Sequence, residues 1–328
     1  MKRLYKIITV FLISILVTTL LLVIYFKNSL MIIYSVYNEL KNRNESVETL
    51  GELTDYYTTT TMDLKNIKYK DTLSKDVFLD IYKSDIEDKP SPVIIYVHGG
   101  SWVYGDNGIP KGLEPILKAF NKRGFTIISL SYELLKEDVP IENLIIDVKD
   151  SIRWVYKNKE KYNFDTENIG ILGISSGAHL ALMASYSEED MFLGDESLRK
   201  YPSNVKYVLD VFGPTELNTL DISDIDEEYK KDLENILKSK DILEKYTPIN
   251  YINSSTPSTL IIHSKSDEIV PYENAKTLYT NLKEKDIKSK LLTLKSGSHY
   301  FSGYNKFEIV ALIFETLKFL DIIIEAIT

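Results

Sequence analysis

Residues 169–186 read IGILGISSGAHLALMASY, and the change of character halfway along this stretch decides the fold. Ile169–Ile174 is a short apolar run of the kind a buried strand uses. Ala178–Tyr186 reads as a helix. The five residues that join them, Gly173-Ile174-Ser175-Ser176-Gly177, match G-x-S-x-G. A turn this tight is strained, and side chains at the glycine positions would collide with the neighbouring strand and helix. The serine oxygen is then held clear of the sheet at a helix N-terminus, where the helix dipole favours developing negative charge. The motif alone is common, and a plain strand-to-helix turn is the simpler alternative. The strand–turn–helix setting makes Ser175 a candidate nucleophile. Ser176 is the competing serine, and its place suits an oxyanion donor through its backbone N–H.

Working outward, strand-like and helix-like stretches alternate from about residue 62. Strand candidates are Val77–Tyr82, Val93–Val97, Phe125–Leu130, Ile169–Ile174, Val205–Phe212, Thr259–His263 and Lys290–Leu294. Helical patterns lie between them. In Glu142–Tyr162, Ile145, Val148, Ile152 and Val155 share one face. Phe307–Ile327 is a further helical segment, expected to pack on the sheet. This alternation predicts an α/β domain whose parallel strands are joined by crossover helices. Residues 218–250 are dense in Asp, Glu and Lys and carry no strand signal; they are expected to form a lid or insertion over the site. No internal repeat is present.

A serine nucleophile needs a base, and the base needs an orienting partner. The chain has four histidines and no cysteine, which excludes disulfides, thiolate nucleophiles and Cys-based zinc sites. His98 opens His98-Gly99-Gly100-Ser101-Trp102, directly after the strand Val93–Val97, and is expected to be structural. His179 follows Ser175 by one helical turn, points away from the elbow, and is expected to be packed or partly exposed. His263 ends a strand and would line the edge of the site. His299, in a loop before the last helix, can swing over the serine and is the preferred base. Asp267, in the turn after Thr259–His263, is the preferred acid, with Glu268 as the alternative. The paired glycines let the loop aim its N–H groups inward. Gly99, Gly100 and Ser176 are the candidate oxyanion donors through their backbone N–H groups, and Asp106 is expected to hydrogen-bond that loop. No metal-ligand spacing is present, and the chemistry calls for no cofactor.

The chain has 328 residues, 44% of them hydrophobic and 27% charged, with a net charge of −9. A core of ordinary size is available, and the basic footprint of a nucleic-acid binder is missing. Ile7–Phe26 is a run of 20 residues without a charge, preceded by Lys2, Arg3 and Lys6 and closed by Lys27. As a helix it would span about 30 Å, the thickness of a bilayer core. No small-x-small cleavage pattern follows, so a retained signal anchor is expected. The positive-inside tendency puts residues 1–6 in the cytoplasm and the remainder outside. The expected organisation is an anchor at 7–26, a stalk at 27–61 and a catalytic domain at 62–328.

Taken together, HGGSWVYGD at 98–106, SYEL at 131–134, GISSGAHLAL at 173–182, HSKSDEIVP at 263–271 and GSHYF at 297–301 resemble the α/β-hydrolase carboxylesterases of the hormone-sensitive-lipase-like and acetyl- or feruloyl-esterase-like branch. The resemblance covers about residues 62–325. It implies the α/β-hydrolase fold, a mostly parallel sheet flanked by helices, with Ser175, Asp267 and His299 as the triad. Three positions depart from the family pattern: Glu133 replaces the usual Arg, Ser264 a Gly in the acid loop, and Ser101 the third Gly of HGGG. The leading expectation is hydrolysis of carboxylic esters on small molecules or surface glycans. The same site on an amide, peptidase-like or aryl-formamidase-like, is the alternative. A non-catalytic module on a hydrolase scaffold is a third.

Overall fold

The computed structural model describes residues 62–324, except 73–75, 111–112, 224–226, 300–302 and 305. The expected anchor at 7–26 and stalk at 27–61 lie outside the described residues. Among those described, no helix is long and apolar enough to cross a membrane.

Eight strands form one sheet in the order β1-β2-β4-β3-β5-β6-β7-β8. They are β1 (Leu64–Lys70), β2 (Val77–Tyr82), β3 (Ser91–Val97), β4 (Thr126–Leu130), β5 (Phe164–Ile174), β6 (Tyr207–Val211), β7 (Ser258–Ser264) and β8 (Ser289–Leu294). β1 with β2 and β2 with β4 pair antiparallel, and every other pair is parallel. Seven strands fall where the apolar runs predict them. The eighth, β1, carries the sequence LKNIKYK, with Lys65, Asn66 and Lys68 exposed and Tyr69 buried. It pairs on one side only, and its lysines mark a protected edge strand.

The longer helices are α1 (Glu114–Lys122), α2 (Ile141–Lys157), α4 (Ser176–Tyr186), α7 (Glu273–Glu284) and α8 (Lys306–Ile323); α3 (Lys159–Tyr162) is a single turn after α2. α1 and α8 cover one face of the sheet; α2, α4 and α7 cover the other. In β3, Val93, Ile95 and Val97 join one core and Ile94 and Tyr96 the other. Burial on both faces is why this strand reads as a continuous apolar run. The last helix packs on the sheet face through Ile309, Ile313, Leu317 and Leu320.

Ile145, Val148, Ile152 and Val155 of α2 are all buried, as their spacing predicts. The same helix also buries Asp147, Lys149, Asp150 and Arg153, which periodicity did not announce. Lys70 Nζ from β1 lies 2.6 Å from Asp147 Oδ1 and 3.0 Å from Asp150 Oδ2. Arg153 pairs with Asp150 at 2.9 Å, and the Glu133 backbone N–H donates to Asp147 at 2.7 Å. A buried charge must be paired and hydrogen-bonded, and Lys70 and Arg153 supply the cations for Asp147 and Asp150.

Residues between β6 and β7 form a segment that leaves the sheet. It holds a 3₁₀ turn at Leu217–Thr219, α5 (Glu227–Lys238), α6 (Lys240–Lys245) and a second 3₁₀ turn at Pro248–Tyr251. Its start is pinned by Asn274 of α7. The Asn274 Oδ1 accepts the N–H groups of Thr215 and Glu216, each at 2.8 Å, and its Nδ2 donates to Thr219 Oγ1 at 2.8 Å.

Candidate active site

Ser175 closes β5 and caps α4 with φ 54° and ψ −122°. A side chain other than glycine at positive φ is uncommon, and it persists only where neighbours over-determine it. Here the Ser175 N–H donates to the Val211 carbonyl at 2.8 Å, while its own carbonyl accepts the N–H groups of Ala178 and His179. The glycines that flank it leave no room for a Cβ. One at Gly173 would collide with the backbone of Gly177 and Ala178, and one at Gly177 with the carbonyls of Val97 and His98. The G-x-S-x-G spacing is therefore a statement about close packing of β3, β5 and α4.

His299 reaches over the serine from the loop after β8. Its Nε2 lies 2.8 Å from Ser175 Oγ, and its Nδ1 lies 2.8 and 3.0 Å from the two oxygens of Asp267. An ionised carboxylate only accepts, so Nδ1 carries the proton and Nε2 is free to accept from the hydroxyl. Asp267 is buried and accepts the N–H groups of Ile269 at 3.0 Å and Val270 at 2.8 Å. Burial alone would raise its pKa. Hydrogen bonds from His263 and His299 outweigh that and hold the carboxyl well below the usual carboxylate range. Glu268, the alternative acid, faces the backbone instead: its Oε2 accepts the His299 N–H at 3.3 Å.

The remaining histidines take distinct places. The His98 ring stacks on Tyr132 with centroids 4.1 Å apart, and Tyr132 donates its hydroxyl to the His98 carbonyl at 2.9 Å. His263 is not at the edge of the site as expected. It is fully buried behind Asp267, with Nε2 at 2.9 Å from the Val270 carbonyl and 3.3 Å from Asp267 Oδ2. The reason is that β7 is a central strand, so its last residues are roofed by the acid loop. His179 is fully buried, the packed one of its two expected places. Asp106 hydrogen-bonds its own turn, accepting the Gly108 N–H at 2.7 Å.

Gly99 lies against the elbow: a Cβ there would approach the Ile174 carbonyl to 2.9 Å and Ser175 Cβ to 3.4 Å. Gly100, Ser101 and Trp102 follow with φ 127°, 50° and 66°. Ser176 is the first residue of α4, where a helical N–H has no acceptor within its own helix. Two polar residues to which the sequence assigned no role shape the loops. Ser264 donates to the Gly297 carbonyl at 2.6 Å, tying the acid loop to the histidine loop. Tyr304 donates to the Ser298 carbonyl at 3.0 Å. Ser264 was visible as a departure from the family pattern, whereas nothing near Tyr304 in the sequence signals its contact.

Beside Ser175 lies a cavity of about 20 Å³, walled by Trp102, Pro214, Leu220, Ile222, Leu233 and Val270. Four of these come from the residues between β6 and β7. Such a space takes one small group. Among the described residues no cluster of His, Asp or Glu has the arrangement of a metal site.

A mostly parallel eight-stranded sheet in this order, with a serine at the strained β5–α4 turn and loops gathered over it, defines an α/β-hydrolase. Residues 79–282, more than half of the 328, match the BD-FAE family model. The chain belongs to the BD-FAE family. It is 26% identical over 212 residues to the esterase LipC of Mycobacterium tuberculosis, covering 62% of this chain and 52% of that protein. It is 24% identical over 231 residues to a probable isoprenylcysteine alpha-carbonyl methylesterase of Oryza sativa subsp. japonica, covering 67% of this chain and 54% of that one. The chain thus spans about half the length of the curated relatives it matches. Among solved structures, a truncated carbohydrate esterase from gut microbiota superposes with TM-score 0.65 at 25% identity, over 80% of this chain and 98% of that one. Esterase 2 of Thermogutta terrifontis superposes with TM-score 0.64 at 21% identity, over 80% and 96%, a likeness of fold.

Proposed function

We propose that this protein is a serine carboxylesterase that works through Ser175, His299 and Asp267. Ser175 Oγ attacks the acyl carbonyl while His299 Nε2 takes its proton. Asp267 keeps the other imidazole nitrogen protonated and stabilises the imidazolium. The backbone N–H groups of Gly99, Gly100 and Ser176 receive the oxyanion. The alcohol leaves with the proton from His299, and water, deprotonated by the same imidazole, releases the acid from the acyl-serine. The observation that carries this reading is the continuous hydrogen-bonded line from Ser175 Oγ through His299 to Asp267, with both links at 2.8 Å.

The cavity of about 20 Å³ beside Ser175 supports a short acyl group such as acetyl. On the alcohol side we propose a small molecule or a surface glycan, in keeping with the carbohydrate esterase among the structural neighbours. We place the domain outside the cytoplasm, behind an anchor at residues 7–26. Resistance of the chain to extraction by alkaline carbonate checks that location.

The activity test compares the full chain in detergent with its Ser175→Ala variant on p-nitrophenyl esters from acetyl to palmitoyl and on an aminoacyl anilide. Cleavage of the short esters is expected, with a loss of about a thousandfold or more in the variant. Anilide cleavage without ester cleavage would replace this reading with an amidase.

A further inference from the structure

Three successive residues of the oxyanion loop, Gly100, Ser101 and Trp102, hold positive φ. Only the first is a glycine. A bulky residue in that region stays there because its surroundings fix it, so what fixes Trp102 matters to the loop. Its carbonyl accepts the Leu135 N–H at 2.8 Å. Its indole N–H donates to His179 Nδ1 at 3.3 Å, with the two rings edge to face. The other nitrogen of the same imidazole, Nε2, lies 2.8 Å from the carbonyl of Tyr246, the residue that ends α6. An indole only donates, so Nδ1 accepts and the proton sits on Nε2, which donates to Tyr246. Burial keeps this imidazole neutral, bringing its pKa down to about 4. Trp102, His179 and Tyr246 are all buried.

We propose that His179 is a positioning residue that ties the oxyanion loop, at Trp102, to the helical segment between β6 and β7, at Tyr246. Leu220, Ile222 and Leu233 of that segment wall the cavity beside Ser175, so one imidazole sets the loop and the cavity wall in a single arrangement. The His179 ring bonds Trp102 and the Tyr246 carbonyl and makes no hydrogen bond to Ser175 Oγ. The proposal rests on the esterase reading above only for its catalytic consequence, since the tie itself is a matter of geometry.

The alternative is a histidine that merely fills space in α4, and two substitutions separate the cases. Leucine fills the volume and makes neither bond. Glutamine can accept the indole N–H through its oxygen and donate to the Tyr246 carbonyl through its amide. On a short-chain ester, His179→Leu is expected to lower kcat by about tenfold or more with KM little changed, because a misplaced donor weakens the transition state more than the ground state. His179→Gln is expected to recover most of that loss. Trp102→Phe, which removes only the indole N–H, should lower kcat similarly, and adding His179→Leu to it should cost little more. The chain has two tryptophans, so ¹⁵N-labelled full-length protein gives two indole N–H signals. One should be slow to exchange in the wild type and in His179→Gln, and should shift in His179→Leu.

Full kcat in His179→Leu with an unmoved indole signal overturns the proposal, as does equal damage from leucine and glutamine, which would make the effect one of packing. If His179→Leu does not fold, Trp102→Phe decides, and wild-type kcat there overturns it too. A wild type that hydrolyses no ester overturns the esterase reading and the catalytic sense of the tie. The indole signals then report separately on whether the tie exists.

Discussion

Ser101 and Trp102 hold a strained backbone in the glycine-rich loop after β3. A left-handed conformation costs a residue with a Cβ about 1–2 kcal/mol, and glycine avoids it. Ser101, at φ 50°, stands where the family pattern has its third glycine. Ser101→Gly is therefore expected to raise stability by about 0.5–1 kcal/mol, read as an upward shift of the urea midpoint with ester cleavage retained. At Asp267 the expectation concerns charge. Its pKa is depressed in the folded protein, so it contributes stability above the ordinary carboxylate value of 3.8 and loses it as pH falls below that. Asp267→Asn should remove this acid-side loss. It should also lower kcat by about four orders of magnitude, because an amide no longer holds the histidine tautomer. A pH series of thermal melts and steady-state kinetics on one preparation check both.

Elements extend the same logic. Helix α2 buries a charged cluster behind its apolar stripe, and burial pushes Asp147 up to about 6 against the pull of Lys70. A carboxyl whose folded pKa exceeds its unfolded value binds more protons when folded, so stability falls as pH rises from about 4 to about 6. Asp147→Asn should flatten that window in a pH series of denaturant melts. Asn274 ties α7 to the start of the helical segment. Asn274→Ala would leave two backbone donors without their acceptor, a cost of about 2–3 kcal/mol that a lowered Tm would report. In that segment Leu233 walls the cavity. Leu233→Ala should move the acyl preference toward longer chains, with kcat/KM for hexanoate over acetate rising about tenfold.

At the scale of the whole molecule, the family match ends before the fold does. Residues 79–282 leave out β1, β8 and α8. Without them β7 becomes an edge strand, and the apolar face that holds Leu209, Leu260 and Ile262 loses Ile309, Ile313, Leu317 and Leu320. A fragment limited to 79–282 is expected to aggregate, since an exposed apolar face of that extent is not tolerated in a monomer. Size-exclusion chromatography and circular dichroism against the full chain check it.

The sequence by itself determined the parallel strands, because strands buried on both faces must be apolar along their whole length, and Val93–Val97 shows this plainly. It named Ser175, Asp267 and His299 as candidates, because a strained elbow, an acid turn and a glycine-flanked histidine leave local marks in residue type and spacing. It did not reveal β1, whose Lys65 and Lys68 face solvent, nor the charged face of α2, whose partner Lys70 at the end of β1 is 77 residues away from Asp147. Nor did it place His263 behind the acid or His179 between Trp102 and Tyr246. Those roles were decided by tertiary structure alone. A buried polar group is defined by the partner that satisfies it, and partners far apart in sequence become neighbours only when the sheet and its helices close around them.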